Sequence, residues 1–196
     1  MEYFDACSKR RTYYNIGNES PVADARIEES VKNAVKNTPS AFNSQTSRVV
    51  LLFGAEHEKL WNMTKEILRA RVPADKFAAT EAKINSFAAG HGTILYYEDQ
   101  DIVKGLQEKF PSYAENFPYW SLESSGMLQF VIWSGLEAEG LGCSLQHYNP
   151  LIDSKAAEAF GIPSNWKLWA EMPFGKPAAA PGEKEFADLE ERVKIF

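Results

Sequence analysis

The stretch of residues 124–136 contains no charged residue and has the composition of a helix. Its large apolar side chains fall around most of the helix circumference, and a helix that is apolar on nearly every side is buried on nearly every side. A chain of 196 residues that is 44% hydrophobic builds one substantial core, and its length favours a single domain over residues 1–196. The helix is therefore either the centre of that core or part of an interface between subunits, and the sequence leaves both interpretations open.

Helical and strand patterns alternate around this stretch. Helices are predicted over residues 3–9, 23–37, 57–72, 76–89, 100–110 and 154–160. Strands are predicted where short runs are apolar, β-branched or aromatic, at residues 48–53, 93–97, 144–148 and 167–172. The uninterrupted apolar run within 48–53 is typical of a strand covered on both faces, so we expect helices on both sides of the sheet.

The composition changes from Pro173 onward. Prolines and glycines recur over the next ten residues, which disfavours regular structure and predicts an extended C-terminal arm over 173–196. The arm ends in Val193-Lys194-Ile195-Phe196, an apolar terminus that would be unusual in solvent. It either docks on its own core or reaches across to a partner subunit.

Charge and composition exclude several classes of protein. The net charge of −6 argues against nucleic acid as the main partner, because binding a phosphate backbone needs a broad basic surface. No apolar run reaches the length of a membrane span, and residues 1–5 lack the basic and apolar regions of a signal peptide. We therefore expect a cytoplasmic protein with no membrane partner.

The sequence also lacks the familiar signatures of catalysis by protein groups or metals. Cys7 and Cys143 are too far apart for a paired-cysteine metal motif, and His57, His91 and His147 have no metal-binding spacing. A Gly-x-Gly-x-x-Gly fingerprint, a phosphate-binding Gly-x-x-x-x-Gly-Lys loop and a Gly-x-Ser-x-Gly elbow are all missing. We expect no metal site and no catalytic side chain, so the chemistry would come from a bound cofactor.

Two short segments have the chemistry of a cofactor site. Residues 9–14, Lys-Arg-Arg-Thr-Tyr-Tyr, place two guanidinium groups beside hydroxyls, which suits charge-assisted bonding to a phosphate. Residues 38–45, Thr-Pro-Ser-Ala-Phe-Asn-Ser-Gln, put amides and hydroxyls on a loop before a strand, within reach of a polar heterocycle edge. Taken separately, the first is also compatible with the cationic last turn of a helix, and the second with turn and cap residues.

In this order and spacing the two segments resemble those of the FMN-dependent nitroreductase family. Residues 87–93, Phe-Ala-Ala-Gly-His-Gly-Thr, and 145–150, Leu-Gln-His-Tyr-Asn-Pro, extend the resemblance. They are most similar to the subgroup of bacterial copper-induced nitroreductases and fungal fatty-acid-repression flavoproteins. The resemblance implies an α+β three-layer sandwich with a central, mostly antiparallel sheet flanked by helices. It also implies a homodimer that holds FMN at its interface and exchanges its C-terminal arms.

The resemblance assigns one group of residues to the phosphate and ribityl part of FMN. Arg10, Arg11 and Thr12 match the family's phosphate grip. Tyr14 stands where the family often has a lysine or arginine, and Lys184 aligns with a basic residue of the C-terminal arm.

A second group is assigned to the flavin ring. The loop beside the isoalloxazine is matched by Ser40, Phe42, Asn43 and Gln45, with some contacts made across the subunit boundary. Lys83 is a candidate for the pyrimidine edge, where a cation favours electron density on the reduced ring. Gln146 and His147 match a pair whose backbone N–H reaches flavin N5, so His147 would act through its main chain.

The mechanism implied by the resemblance is ping-pong. NADH or NADPH would pass hydride to FMN N5 and leave, and a nitroaromatic or quinone would then enter the same pocket. Aromatic residues at 113, 117, 119 and 120 either cover the flavin and select flat substrates or are ordinary core residues. An alternative is a flavin-binding regulatory or stress-response protein, linked to lipid signalling, oxidative stress or metal stress, whose reductase activity is incidental.

Overall fold

The computed structural model describes residues 3–196. Met1 and Glu2 lie outside this range. They belong to residues 1–5, where we expect no signal peptide. The helices are α1 (Tyr3–Lys9), α2 (Asp24–Asn37), α3 (Gly54–Arg69), α4 (Phe77–Ala88), α5 (Gln100–Lys109), α6 (Phe117–Ala138), α7 (Asp153–Phe160) and α8 (Leu189–Arg192). The strands are β1 (Ile16–Gly17), β2 (Ser47–Phe53), β3 (Gly92–Asp99), β4 (Gly142–Cys143) and β5 (Trp166–Pro177). Within the described range, no helix is long and apolar enough to cross a membrane.

The strands form one antiparallel sheet in the order β1-β5-β3-β2, and β4 pairs with the far end of β5. Every residue of β3 is buried, because this strand lies between β2 and β5 and is covered on both faces. Strand β2 is at the edge of the sheet, and its residues are mostly half-buried. The antiparallel sheet expected from the resemblance is therefore confirmed.

Helices cover both faces of the sheet. On one face, α2 and α6 pack on alternate residues of β3 and β5, which include Ile94, Tyr96 and Met172. On the other face, α3 and α4 pack on the intervening residues, such as Leu95 and Tyr97. Because successive side chains of a strand point to opposite faces, each buried strand contributes to both cores. The result is the expected three-layer α+β sandwich.

Helix α6 has an uneven environment. Leu128, Ile132 and Leu136 are buried against the sheet, as a central core helix requires. Met127, Phe130 and Val131 remain about two-fifths exposed, at 43%, 39% and 38%. One chain therefore covers only part of the uncharged stretch of this helix.

The strand predicted at residues 144–148 is wrong. Regular pairing is limited to β4, and Gln146 forms an isolated bridge with Glu171. The Ser144 N–H donates to the carbonyl of Pro173 over 3.2 Å, but Pro173 has no N–H to return the bond. The ladder is interrupted at that point, and the segment continues as a loop.

The predicted start of the arm at Pro173 is also wrong. Residues 173–177 belong to β5, and Ile16 and Gly17 of β1 pair with Pro177 and Lys176. A strand of two residues such as β1 has no periodicity to read, so the partner that extends β5 was missed. The irregular arm begins at Ala178, and Ile195 and Phe196 at its end are almost completely exposed.

Candidate functional site

The segment 10–14 runs beside the C-terminal half of α6 and along β4. Thr12 forms an isolated parallel β-bridge with Cys143, and the Tyr13 N–H donates to the Cys143 carbonyl over 2.9 Å. The close approach is possible because residue 142 is glycine: a Cβ there would lie only 2.8 Å from the Tyr13 ring. The backbone of the predicted phosphate segment is therefore fixed by the sheet.

Arg10 is held at the start of this segment by an aromatic ring. Its guanidinium carbon lies 4.3 Å from the ring centroid of Trp133 on α6. Its Nε is buried and has no hydrogen-bond partner among residues 3–196. Arg11 instead donates to the carbonyl of Gly182 in the C-terminal arm. Both guanidinium groups are thus anchored, and the first keeps an unused donor.

Glu137 lies beside both arginines and was missed by the sequence reasoning. Burial raises the pKa of its carboxyl group, and the Arg11 N–H and the positive charge of Arg10 oppose that shift. Its Oε2 is buried without a hydrogen-bond partner in the described part of the chain. The sequence feature that could have indicated Glu137 is its place directly after the uncharged stretch 124–136.

The loop after α2 has an unusual backbone. Phe42, Asn43 and Gln45 have φ values of 58°, 50° and 49°, in the left-handed region that non-glycine residues rarely adopt. The Gln45 N–H donates to the Ser40 side chain over 2.9 Å, which closes the loop. Strain of this kind costs on the order of 1–3 kcal/mol per residue and is concentrated at functional sites. The strained backbone therefore lies in the same loop that carries the sequence motif.

Phe42 projects from this loop into an aromatic cluster. Its ring centroid lies 5.0 Å from that of Phe110, 5.4 Å from Phe117 and 5.9 Å from Trp120, with Tyr113 at 6.0 Å. Half of the Phe42 side chain stays exposed. Tyr119, which sequence grouped with these residues, is 68% exposed and forms none of these ring contacts.

A buried carboxyl group supports the base of the loop. Glu98, fully buried at the end of β3, accepts hydrogen bonds from Ser47 over 2.5 Å and from Ser121 of α6 over 2.7 Å. Burial raises the pKa of Glu98, and these hydroxyl donors oppose the shift. Next to it, Arg48 donates to the Gln45 carbonyl over 2.8 Å and pairs with Asp99 over 3.0 Å.

The pair Gln146 and His147 is placed against β5. Gln146 is buried, and its N–H donates to the Glu171 carbonyl over 2.7 Å. His147 is exposed, and its N–H has no partner within the described residues. Of the two backbone donors expected at flavin N5, only that of His147 is therefore available.

The remaining candidates stand apart from these groups. Lys83 is exposed on α4, with Nζ 5.8 Å from the Phe87 ring, and Lys184 lies 5.0 Å from the Phe186 ring. In residues 3–196, no hydrogen bond, ion pair or ring contact joins either lysine to another candidate residue. Tyr14 is 54% exposed.

The two motif segments contact opposite ends of α6. Arg10 lies over Trp133, whereas Phe42 stacks on Trp120. These tryptophans are thirteen residues apart on one helix, which corresponds to about 20 Å along its axis. One chain therefore holds the two candidate segments at opposite ends of α6.

The three-layer α+β sandwich has the fold of nitroreductase-like proteins. The chain belongs to the nitroreductase family, whose model matches residues 7–176. The yeast (Saccharomyces cerevisiae) protein HBN1 is 37% identical over 196 residues, 99% of this chain and 96% of HBN1. The yeast nitroreductase FRM2 is 33% identical over 189 residues, 94% of this chain and 92% of FRM2. The subgroup indicated by the sequence is confirmed.

Solved structures agree with this assignment. Nitroreductase CinD from Lactococcus lactis, in complex with nicotinic acid, is 41% identical, has a TM-score of 0.93 and matches over 100% of both chains. A protein of Exiguobacterium sibiricum solved with FMN has a TM-score of 0.73 and is 13% identical, over 100% of this chain and 98% of its own. At that identity the second likeness shows the shared fold alone.

Proposed function

We propose that this protein is an FMN-dependent oxidoreductase that uses NADH or NADPH to reduce nitroaromatics or quinones by a ping-pong mechanism. The observation that carries the proposal is the 10–12 segment, whose backbone is fixed against β4 and whose Arg10 Nε is buried without a partner among residues 3–196. An unsatisfied buried donor beside a second guanidinium fits a phosphate group, which accepts several charge-assisted hydrogen bonds. FMN, when bound, supplies the hydride acceptor at N5.

The chain's own residues divide the work of holding that group. Arg10, Arg11 and Thr12 would bind the phosphate end, and the strained loop carries the amides of Asn43 and Gln45, which would bind the polar edge of the ring. Tyr14, Lys83 and Lys184 stay candidates for outer contacts, which a second chain would complete. His147 would donate its main-chain N–H near the reacting edge. Solvent would supply the protons in an open site, so the protein needs to supply no acid of its own.

We propose that the functional unit is a homodimer. The two motif segments lie about 20 Å apart along α6, so a single site needs the basic segment of one subunit and the loop of another. The exposed apolar face formed by Met127, Phe130 and Val131 is the surface that a second α6 would cover.

The C-terminal arm has a natural place in such a dimer. Within residues 3–196 the outer edge of β2 has no neighbouring strand, and a groove of about 480 Å³ lies beside it. Its lining includes the apolar residues Val35, Leu51 and Phe53 and the charged residues Glu28, Lys32 and Arg48. We propose that residues 193–196 of the partner arm bind at this edge, as an added strand whose Val193 and Ile195 share one face.

The aromatic cluster around Phe42 suits a flat acceptor. Exposed, rigid aromatic rings bind planar ligands by stacking at low entropic cost. CinD has been solved with nicotinic acid, chloramphenicol and 4-nitrophenol, all of which contain an aromatic ring. This supports small aromatic acceptors for the present chain.

The test begins with the visible spectrum of the purified protein. We expect flavin absorbance, with intact FMN released on denaturation, followed by anaerobic bleaching with NADH or NADPH and recovery on addition of a nitroaromatic or quinone. A protein that neither contains nor binds FMN would overturn the proposal. Flavin binding with turnover below about 0.01 per second would instead favour the regulatory alternative.

A further inference from the structure

Glu171, in the middle of β5, is the least expected residue of the sheet. It is fully buried in a strand whose neighbours Ala170 and Met172 are apolar core residues. Its Oε1 has no hydrogen-bond partner among the described residues. A buried carboxyl group of this kind costs stability, so its presence calls for a role.

The bonds of Glu171 converge on one short loop. Its carbonyl accepts the N–H of Gln146 over 2.7 Å, and its own N–H donates to the Gln146 carbonyl over 3.0 Å. Its Oε2 accepts the N–H of Tyr148 over 2.9 Å. Glu171 thus binds the backbone donors on either side of His147, one through its main chain and one through its side chain.

This arrangement fixes the donor between them. The N–H groups of Gln146 and Tyr148 are both bonded to Glu171, whereas the N–H of exposed His147 between them has no partner among the described residues. A main-chain donor held from both sides loses little entropy when it binds a ligand.

We infer that Glu171 is a positioning residue that holds the His147 N–H toward the reacting edge of the bound flavin. The inference rests on the proposed function, and it assigns a role in that site to a residue that contacts neither cofactor nor substrate.

The protonation state of Glu171 supports the same role. Burial raises its pKa to about 8, and the nearby Asp153 of α7 adds to the shift, whereas the Tyr148 N–H opposes it. Near neutral pH the group is therefore mostly uncharged. A neutral carboxyl still accepts the Tyr148 N–H through its carbonyl oxygen, so an amide in its place would preserve the contact.

The experiment compares three substitutions in the full-length holoprotein. Glu171→Gln keeps an acceptor at the same reach, Glu171→Asp withdraws it by one methylene, and Glu171→Leu removes it. The readouts are FMN content, the midpoint potential of the bound flavin, hydrogen exchange at residues 145–150 and the single-turnover rate of reduction by NADH. Only the last of these depends on activity.

We expect Glu171→Gln to stay within about twofold of the native chain in reduction rate. Glu171→Asp and Glu171→Leu should retain FMN but lose about tenfold in rate, with faster exchange in the loop. Their midpoint potential should rise, because the donor stabilises oxidised N5, which accepts a hydrogen bond. If Glu171→Leu fails to fold, the contrast between Glu171→Gln and Glu171→Asp still tests the positioning role.

Two outcomes are clearly separated. Equal rates, potentials and exchange in flavin-loaded Glu171→Gln and Glu171→Asp would overturn the positioning role while leaving the proposed function intact. Native protein that binds no FMN would overturn the proposed function, and with it the role of Glu171 at a flavin.

Discussion

The guanidinium group of Arg10 lies over the indole ring of Trp133, 4.3 Å from its centroid. An aromatic ring attracts a cation placed over its face without neutralising the charge. The position of Trp133 on α6 therefore sets the orientation of the Arg10 guanidinium. The buried Nε of Arg10 then remains as an oriented donor without a partner in the described chain. Trp133 thereby links the uncharged stretch of α6 to the basic segment, two features that appear unrelated in the sequence.

The first prediction concerns the phosphate grip. Arg10→Ala combined with Arg11→Ala should strip most of the FMN, because losing charge-assisted phosphate contacts costs on the order of 2–5 kcal/mol. Flavin content after dialysis measures the loss. Arg71→Ala with Lys76→Ala, two exposed cations elsewhere, is the matched control for net charge. Full flavin retention in the Arg10 and Arg11 variant would remove the phosphate assignment.

The second prediction concerns the arm. Ile195→Ser with Phe196→Ser should weaken dimerisation and lower FMN occupancy together, because both side chains are almost fully exposed in one chain and need cover from another. Light scattering and flavin absorbance on the same sample measure the two effects. Lys194→Ser changes the arm without removing an apolar group and should do neither. A fully flavinated monomer would contradict the dimer proposal.

The third prediction separates a side-chain contact from a main-chain contact. Asn43→Ala should weaken FMN binding several-fold, since a side-chain amide bond to a polar edge contributes about 0.5–1.5 kcal/mol. Asn43 has a φ of 50°, so Asn43→Gly, which removes the amide without backbone strain, should weaken binding similarly. His147→Ala should leave nitroreduction largely intact, because a backbone donor survives truncation.

One outcome of the His147→Ala experiment would contradict the main-chain role of His147. Loss of nitroreduction in His147→Ala with FMN still bound would indicate that the imidazole acts as a proton donor. The main-chain role of His147 would then be wrong.

Much of the fold follows from local pattern. The apolar runs at residues 48–53 and 93–97 are strands because their side chains meet core on both faces of the sheet. The helix over 24–37 was predicted within one residue at its start, since Ile27, Val31 and Ala34 form one buried face. Such features depend only on neighbours along the chain.

The errors arise where the cause is distant in sequence. The strand predicted at 144–148 is interrupted because its partner, Pro173, lacks an N–H, and nothing within 144–148 records this. Glu171 was missed because its role depends on burial and on bonds to a loop some 25 positions earlier. A glutamate between Ala170 and Met172 in an apolar strand indicates an unusual position, although the strand pattern alone does not reveal its bonds to the loop.

The last prediction concerns stability and pH. The pKa of Glu171 is raised to about 8, above its ordinary value, chiefly by burial. The folded protein therefore keeps a proton that the unfolded chain has lost, so this group's stabilising contribution is complete below about pH 4.5 and disappears as the pH rises toward 8. We expect the free energy of unfolding to fall over this window, by up to about 1.4 kcal/mol per pH unit from this residue.

Chemical denaturation of apoprotein at several pH values between 5 and 8 measures that slope. Glu171→Gln cannot titrate and should flatten it, though not abolish it, because burial also raises the pKa of Glu98, Glu137 and Asp153 with the same sign. Glu58→Gln, at an exposed position of α3, should leave the slope of the native chain in place. Parallel slopes for Glu171→Gln and the native protein would mean that Glu171 is already ionised at neutral pH. The carboxylate would then hold the Tyr148 N–H as a charged acceptor, and the amide variant would no longer be its equivalent.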